Sequence, residues 1–469
     1  MRYAVFLCVV WMIGCASPPP PSAPYHGLSD GDTALALIDV TVLDGAANIP
    51  TPNQTLLLHR GRIAAVGHTD SVELPPATRR IDGTDLYALP GFIDTHAHVT
   101  VLPPLPDGRL AAHIDTAASR QMLRTLLTHG ITTVRNPAAP TEVGLWLRDQ
   151  VAEGAVVGPR IVTTGAALNR TAPPFGPFVA TPTEDGIRAE VHRQAALGVD
   201  AIKVYGALAP HLIATAIDEA HGLGLPVVGH LQRTTWTEAA ELGIDHITHA
   251  APWSAAYLPE AARSGYRGTF RDRITWLEQI DLKGEAIQTM IRAMVDAEVT
   301  LDPTLIAMHT KFWGNDARYR SHPSLALTPD TLLHLWRTAS FTTDWSEADY
   351  ARAQAAWPRL LALTKALHEA GVRLTVGSDT PNPWVIPGVS FHEEIQFLVD
   401  AGLSPADVLR AATHHGALAL GLGDELGRIV PGYRADLVLL THDPTAHIEH
   451  TQDIAWIIQA GTFSHPLGK

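Results

Sequence analysis

Asp94-Thr95-His96-Ala97-His98 follows the apolar run Leu89-Pro90-Gly91-Phe92-Ile93. With the two-residue period of a strand, Asp94, His96 and His98 share one face. Two neutral imidazoles spaced this way can chelate one divalent cation, because the ring nitrogen is a good ligand for zinc. A lone His-x-His is weak evidence, but other groups end similar apolar runs. Lys203 and Tyr205 point the same way in Ala201-Ile202-Lys203-Val204-Tyr205, and His230 follows Leu225-Pro226-Val227-Val228-Gly229. His249 shares a face with Asp245 and Ile247, while Asp379 closes Val376-Gly377-Ser378-Asp379. Four His, one Lys and one Asp at strand ends compose a site for two cations, whose chemistry is the acidification of water to hydroxide.

Elements that bring such residues together must be short, buried and parallel. Strands are expected at Pro90 to His98, Gly130 to Val134, Arg160 to Thr164, Ala201 to Tyr205, Leu225 to Gly229, Ile244 to His249, Val299 to Leu301 and Val372 to Val376. Helical patterns such as Ala214 to Gly222 and Thr237 to Gly243 alternate with them. The pattern predicts an α/β fold, a (β/α)8 TIM barrel over 90–424 whose strand ends converge on one rim. Residues 33–89 and 425–469 read as turn-rich strands and predict a small β-sandwich assembled from both chain termini. Inserts at 252–285 and 306–360 break the alternation. Phe312, Trp313, Trp336, Trp345 and Trp357 in the second are expected to form local core.

The chain has 469 residues, with 24 His and 2 Cys. Cys8 and Cys15 cannot form a disulfide framework or a Cys-rich zinc site. A net charge of −14 without a basic stretch excludes a nucleic-acid partner as an expectation. Met1-Arg2-Tyr3 followed by an apolar run to Gly14 reads as a signal peptide over 1–14. Met12-Ile13-Gly14-Cys15 resembles a bacterial lipoprotein signal, so Cys15 is the expected lipidation site, followed by a Pro-rich linker to residue 32. The membrane is then met only through that anchor, in a periplasm-facing or outer-membrane lipoprotein of the cell envelope. The alternative is a secreted protein.

The motifs Leu89-Pro90-Gly91-Phe92-Ile93-Asp94-Thr95-His96-Ala97-His98 and Gly427-Arg428-Ile429-Val430-Pro431-Gly432-Tyr433-Arg434-Ala435-Asp436-Leu437-Val438 resemble those of the amidohydrolase superfamily. Ala401-Gly402-Leu403-Ser404-Pro405 with Ala411-Ala412-Thr413 resembles its helices after the eighth strand. The likeness is to the imidazolonepropionase-like, Xaa-Pro dipeptidase-like branch, over nearly all of 33–469. It implies that His96, His98 and Asp379 hold one metal ion and His230 and His249 a second. It also implies two zinc ions and a carbamate on Lys203, formed from carbon dioxide, that bridges them. Asp379 would then be ligand and general acid–base, and Tyr205 a donor to the oxyanion.

The implied activity is hydrolysis of a C–N bond in a small N-acyl amino acid, dipeptide or cyclic amide. Lactone, ester or organophosphate hydrolysis at the same site is the alternative, and a non-catalytic lipid-anchored binding protein a remoter one. A single-metal deaminase fits poorly, because Arg233 stands three residues after His230, where deaminases of the superfamily carry Glu. Arg135, Arg170 and Lys311 are candidates to grip a substrate carboxylate. His392 is a candidate for lining the pocket, and His414 and His415 are read as structural. The partner is a small-molecule substrate; a homo-oligomer is allowed, with no sequence feature that marks it.

Overall fold

The first strands of the chain, antiparallel from the first to the third, bury apolar side chains on one face. The computed structural model describes residues 34–105, 110–111, 113–173, 176–338 and 341–464. The signal peptide, Cys15 and the Pro-rich linker lie outside the described residues. Strands β1 (Leu35–Val42), β2 (Thr51–His59), β3 (Arg62–His68), β4 (Arg79–Asp82) and β5 (Tyr87–Pro90) open the chain.

The next ten strands are all parallel to their neighbours. They are β6 (Phe92–Asp94), β7 (Ile131–Asn136), β8 (Arg160–Thr163), β9 (Ala167–Asn169) and β10 (Phe178–Ala180). They continue with β11 (Ile202–Val204), β12 (Val227–Gly229), β13 (His246–Thr248), β14 (Thr300–Asp302) and β15 (Arg373–Leu374). Eight of the ten coincide with the strands expected from the sequence; β9 and β10 are an extra pair beside β11. Their Val and Ile content suits strands buried on both faces. Strands β16 (Leu437–Leu440), β17 (Ile454–Gln459) and β18 (Thr462–Ser464) end the described chain.

The terminal strands join in one mixed sheet of eight, ordered β18-β17-β16-β5-β1-β2-β3 with β4 paired to β1. Hydrogen bonds link the strands from both ends of the chain into this one sheet. Leu37, Val40, Leu56, Leu58, Ile63, Leu437 and Leu439 pack on one face of it and are all buried. Here β16 pairs antiparallel with β5, which runs through Gly91 straight into β6. The sheet therefore holds the strand that leads to His96 and His98.

The parallel strands form two ladders, β6-β7-β8 and β10-β9-β11-β12-β13-β14-β15, rather than one continuous ring of ladder bonds. Isolated parallel bridges, Thr164 to Ala201 and Ala97 to Thr380, lie at the two seams. At the second seam β15 is only two residues long, and the Asp379 backbone turns to a φ of 57°. The ladder stops there because the chain bends into the site. The arrangement is an α/β, TIM-barrel-like domain.

Phe312, Trp336, Trp345 and Trp357 are buried, as expected of insert core, and Trp313 stacks on His309 at 3.9 Å. No described helix is long and apolar enough to cross a membrane.

Two glycines test how the halves of the chain dock. Gly45 has φ 87°, and an added Cβ would overlap the Gly427 carbonyl oxygen. Gly154 has φ 75° but open space around it. Both Ala variants carry the left-handed backbone penalty of about 1–2 kcal/mol. Gly45→Ala should cost at least about 1 kcal/mol more in urea unfolding, because two backbone segments must separate. Equal losses would show that the contact between the terminal segments is loose.

Candidate active site

His96 and His98 follow β6, whose ladder ends at Asp94. Asp94 itself does not join the cluster of His96, His249 and Asp379. Its carboxylate accepts from the Ser378 hydroxyl at 2.6 Å, the Ser378 amide at 3.1 Å and the His96 amide at 3.0 Å. It thus sews the turn after β6 to the turn after β15. Burial raises its pKa to about 7. Gly377 permits the close approach: an added Cβ there would lie 2.8 Å from His96 Cβ and 3.0 Å from Asp302 Cβ.

Asp379 sits among three histidines. Its Oδ1 lies 3.3 Å from His96 Nε2 and 3.4 Å from His98 Nε2, and its Oδ2 lies 3.8 Å from His249 Nδ1. Burial would raise the Asp379 carboxyl, but His96, His98 and Lys311 outweigh it and hold the pKa at about 2. His230 Nδ1 and His249 Nε2 face each other at 2.6 Å. Lys203, buried on β11, donates to the Thr248 hydroxyl at 3.4 Å. The structure thus lines one cavity with His96, His98, Lys203, Tyr205, His230, His249 and Asp379.

The donor set fits a bound cation. Burial drives the His96, His230 and His249 pKa values well below the ordinary value, so these rings are neutral lone-pair donors. His96, His249 and Asp379 place ligand atoms within 4.8 Å of one another. Burial also lowers the Lys203 pKa to about 7, with Asp302 opposing and Arg135 reinforcing the shift. A large share of its amine is therefore neutral near physiological pH.

Asp302 escaped the sequence reading. It ends β14, accepts from His96 Nδ1 at 2.8 Å and pairs with Arg135 at 2.9 Å. Fixing Nδ1 this way leaves His96 Nε2 directed at Asp379, the usual support of a metal-ligating imidazole. An acidic residue directly after Val299-Thr300-Leu301 was the signal available. Thr304 also went unnoticed; its hydroxyl meets His249 Nδ1 at 3.0 Å. His249, Thr304 and Asp379 all have positive φ, at 83°, 47° and 57°. Strained backbone of this kind persists where surrounding contacts over-determine it.

Tyr205 stacks on His230, ring centroids 4.2 Å apart, and burial raises its pKa to about 12. It remains a neutral proton donor.

Three assignments change. Arg135 is buried under the site on Asp302 and the Thr95 carbonyl, with no place in the cavity wall. Arg170 is exposed and absent from that wall. His392 lies elsewhere, between Thr451 Oγ1 and the His129 carbonyl, each at 3.0 Å. Its helix, Val389–Asp400, turns it toward the C-terminal segment. His415 bonds the Leu374 carbonyl at 3.1 Å, in keeping with a structural role. Lys311 does line the cavity, joined by Arg273, which the sequence reading missed.

Arg135→Met should cost about 3 kcal/mol in urea unfolding, because it leaves the buried Asp302 without its cation. Adding Asp302→Asn should recover at least half of that loss. A single variant within 0.5 kcal/mol of wild type, on the scale of a surface change, would mean the pair carries little stability.

The chain matches the amidohydrolase family over residues 87–460. It is 25% identical over 440 residues to the imidazolonepropionase of Symbiobacterium thermophilum, covering 89% of this chain and 91% of that protein. The imidazolonepropionase of Rubrobacter xylanophilus is 41% identical over 81 residues, only 16% of this chain and 18% of that one. Among solved structures, bottromycin amidohydrolase has a TM-score of 0.70 at 24% identity, covering 92% of this chain and 87% of that chain. A Xaa-Pro dipeptidase with bound methionine has a TM-score of 0.66 at 18% identity, covering 92% and 100%. At those identities the structures speak for the fold. With the family match spanning most of the chain, the chain belongs to the amidohydrolase family.

Proposed function

We propose that this protein is a binuclear metal-dependent hydrolase that cleaves a C–N bond in a small N-acyl amino acid, dipeptide or cyclic amide. The observation that carries the reading is the convergence of four His, Lys203 and Asp379 on one cavity of about 500 Å³. The two parallel ladders, with their seam bridges, are read as one (β/α)8 barrel whose rim carries the site.

In this reading His96, His98 and Asp379 would hold one zinc ion, and His230 and His249 the other. The neutral Lys203 amine would add to carbon dioxide, forming a C–N bond and releasing a proton, and the anionic carbamate would be a further ligand. When bound, the ions supply a Lewis acid for the scissile carbonyl and acidify water toward neutrality. Asp379 takes the proton of the attacking water and delivers it to the leaving nitrogen. The charges of His96, His98 and Lys311 hold Asp379 in its ionised form, free of a proton when the water arrives. The second half requires it to be re-protonated only as the nucleophile is consumed. Tyr205, neutral below about pH 12, donates to the developing oxyanion. Asp302 holds His96, and the apolar walls around Val101, Phe178 and Leu332 keep bulk water from the reacting carbonyl.

The primary test is a hydrolysis screen of zinc-loaded protein against N-acyl amino acids, Xaa-Pro dipeptides, lactams and lactones. Turnover confined to lactones, or none in any class, would refute amide hydrolysis. Asp379→Asn should keep at least half of the bound metal and lose on the order of 10²- to 10⁴-fold in kcat, the range of a general acid–base group. Near-normal turnover would remove Asp379 from that role. Lys203→Ala should bind less than one metal per chain, with recovery in added acetate or propionate. Full metal occupancy without any short carboxylate would remove the carbamate.

A further inference from the structure

Three further histidines cluster in the segment that joins β16 to β17. Thr441-His442-Asp443-Pro444-Thr445-Ala446-His447-Ile448-Glu449-His450-Thr451-Gln452-Asp453 carries three His and three acids. No Lys or Arg occurs anywhere in residues 435–468. None of the thirteen residues lines the cavity of the candidate active site. The base of the segment is fixed: Ile448 and Thr451 are buried, and Thr451 Oγ1 meets His392 Nδ1 at 3.0 Å. Above it the histidines reach solvent, with the side chains of His442 and His447 62% and 65% exposed.

The rings are spaced as ligands of one ion are spaced. The His450 ring centroid lies 5.1 Å from that of His442 and 5.3 Å from that of His447. A zinc–nitrogen bond of about 2.0 Å and a tetrahedral angle put the centroids of two bound imidazoles about 5 Å apart. Each ring also has an oxygen at Nδ1. His442 Nδ1 donates to Asp453 Oδ2, and His450 Nδ1 donates to the Asp443 carbonyl, both at 2.8 Å. His447 Nδ1 faces Glu449 Oε1 at 3.7 Å. A proton held on Nδ1 leaves Nε2 as the lone-pair donor, and such an oxygen behind the ring is the usual backing of a metal-bound His. Elsewhere on the surface His192 and His221 each meet one acid at 2.9 Å, with no ring contact to a second imidazole among the described residues.

We infer that His442, His447 and His450 form a separate metal site, which takes one zinc ion or a similar imidazole-seeking divalent ion. Magnesium and calcium are excluded, because they take oxygen ligands. Glu449 and Asp453 place negative charge behind the rings, and no cationic side chain of the segment opposes an incoming ion. Among the described residues, His96, His249 and Asp379 are the group whose ligand atoms already lie within 4.8 Å of one another. The outer site therefore closes on binding, by rotation of the exposed His442 and His447 side chains toward His450. A bound ion ties the end of β16 to the 3-10 turn Ile448–Gln452 and so braces the β16–β17 connection of the terminal sheet.

The test is equilibrium dialysis of the full chain over a series of free zinc concentrations, with bound metal counted by elemental analysis. Wild type should hold one more zinc ion per chain than His442→Gln/His450→Gln. Its thermal transition should rise as this site fills, and the double variant should lose that rise. Asp453→Asn, which removes only the backing of His442, should weaken the site about 10- to 100-fold. His192→Gln changes an exposed histidine outside the cluster and should leave the count unaltered. Should the double variant melt far below wild type in chelator, His442→Gln/His447→Gln, at two exposed positions, takes its place with the same expected loss. Equal zinc counts in wild type and double variant overturn the site, as does an unchanged affinity in Asp453→Asn. A loss in His192→Gln as large as in the double variant also overturns it, because the surface would then be holding zinc adventitiously. The count is a difference between chains with the same cavity, so its outcome is independent of the hydrolytic reading.

Discussion

The site depends on a carboxylate that is not among the expected metal ligands. Asp302 lies under the rim, 0% exposed in its side chain, with His96 on one oxygen and Arg135 on the other. Isolated, such a group would be neutral: burial lifts its pKa to about 7 even with Arg135 beside it. With both partners in place it links β6, β7 and β14 through side chains where the backbone ladders have already ended. Arg135 extends the link by donating to the Thr95 carbonyl at 2.7 Å. The orientation of His96, and through it the geometry around Asp379, follows from that triad. Coulomb attraction is strong here because water is absent, and the same dryness makes each member costly to leave alone.

A second constraint is that the groups lining the cavity sit where strands stop being strands. His249, Thr304 and Asp379 all adopt left-handed backbone, and their strands are two or three residues long. Side chains on a continuing strand would alternate inward and outward at fixed spacing. A turn immediately after the last ladder bond frees each side chain from that alternation and lets different strands aim at a common point. Asp94 makes this possible by tying the Ser378 amide and hydroxyl to the turn after β6. The scaffold thus concentrates irregular backbone at one rim and keeps it rigid with buried hydrogen bonds.

Much of the arrangement was legible in the chain, for a definite reason. Short Val- and Ile-rich runs fix both strand identity and the direction of the following residue, so His96, His98, Lys203, His230, His249 and Asp379 were readable as strand-end groups. Asp302 occupies the same kind of position, yet a single acid after a strand carries no spacing signal. Arg273 was less accessible still, because it comes from an insert whose helix has no counterpart in the repeating pattern. Arg170 looked suitable by loop position alone, and the loop turns it to solvent. His392 follows the eighth strand closely in sequence, but helical geometry swings it toward Thr451. Periodicity reports which face a residue takes within its element, not what a connecting segment folds over.

The electrostatic design of the cavity has two parts with opposite needs. Histidines that offer lone pairs must be uncharged, and burial achieves this for His96, His230 and His249 by penalising the imidazolium. Arg273 and Lys311 meet the same penalty and stay largely cationic near neutral pH, because their ordinary pKa values are so much higher. One dry pocket therefore sorts nitrogen groups by intrinsic basicity into lone-pair donors and fixed positive charges. The first set suits a cation and the second suits an anion.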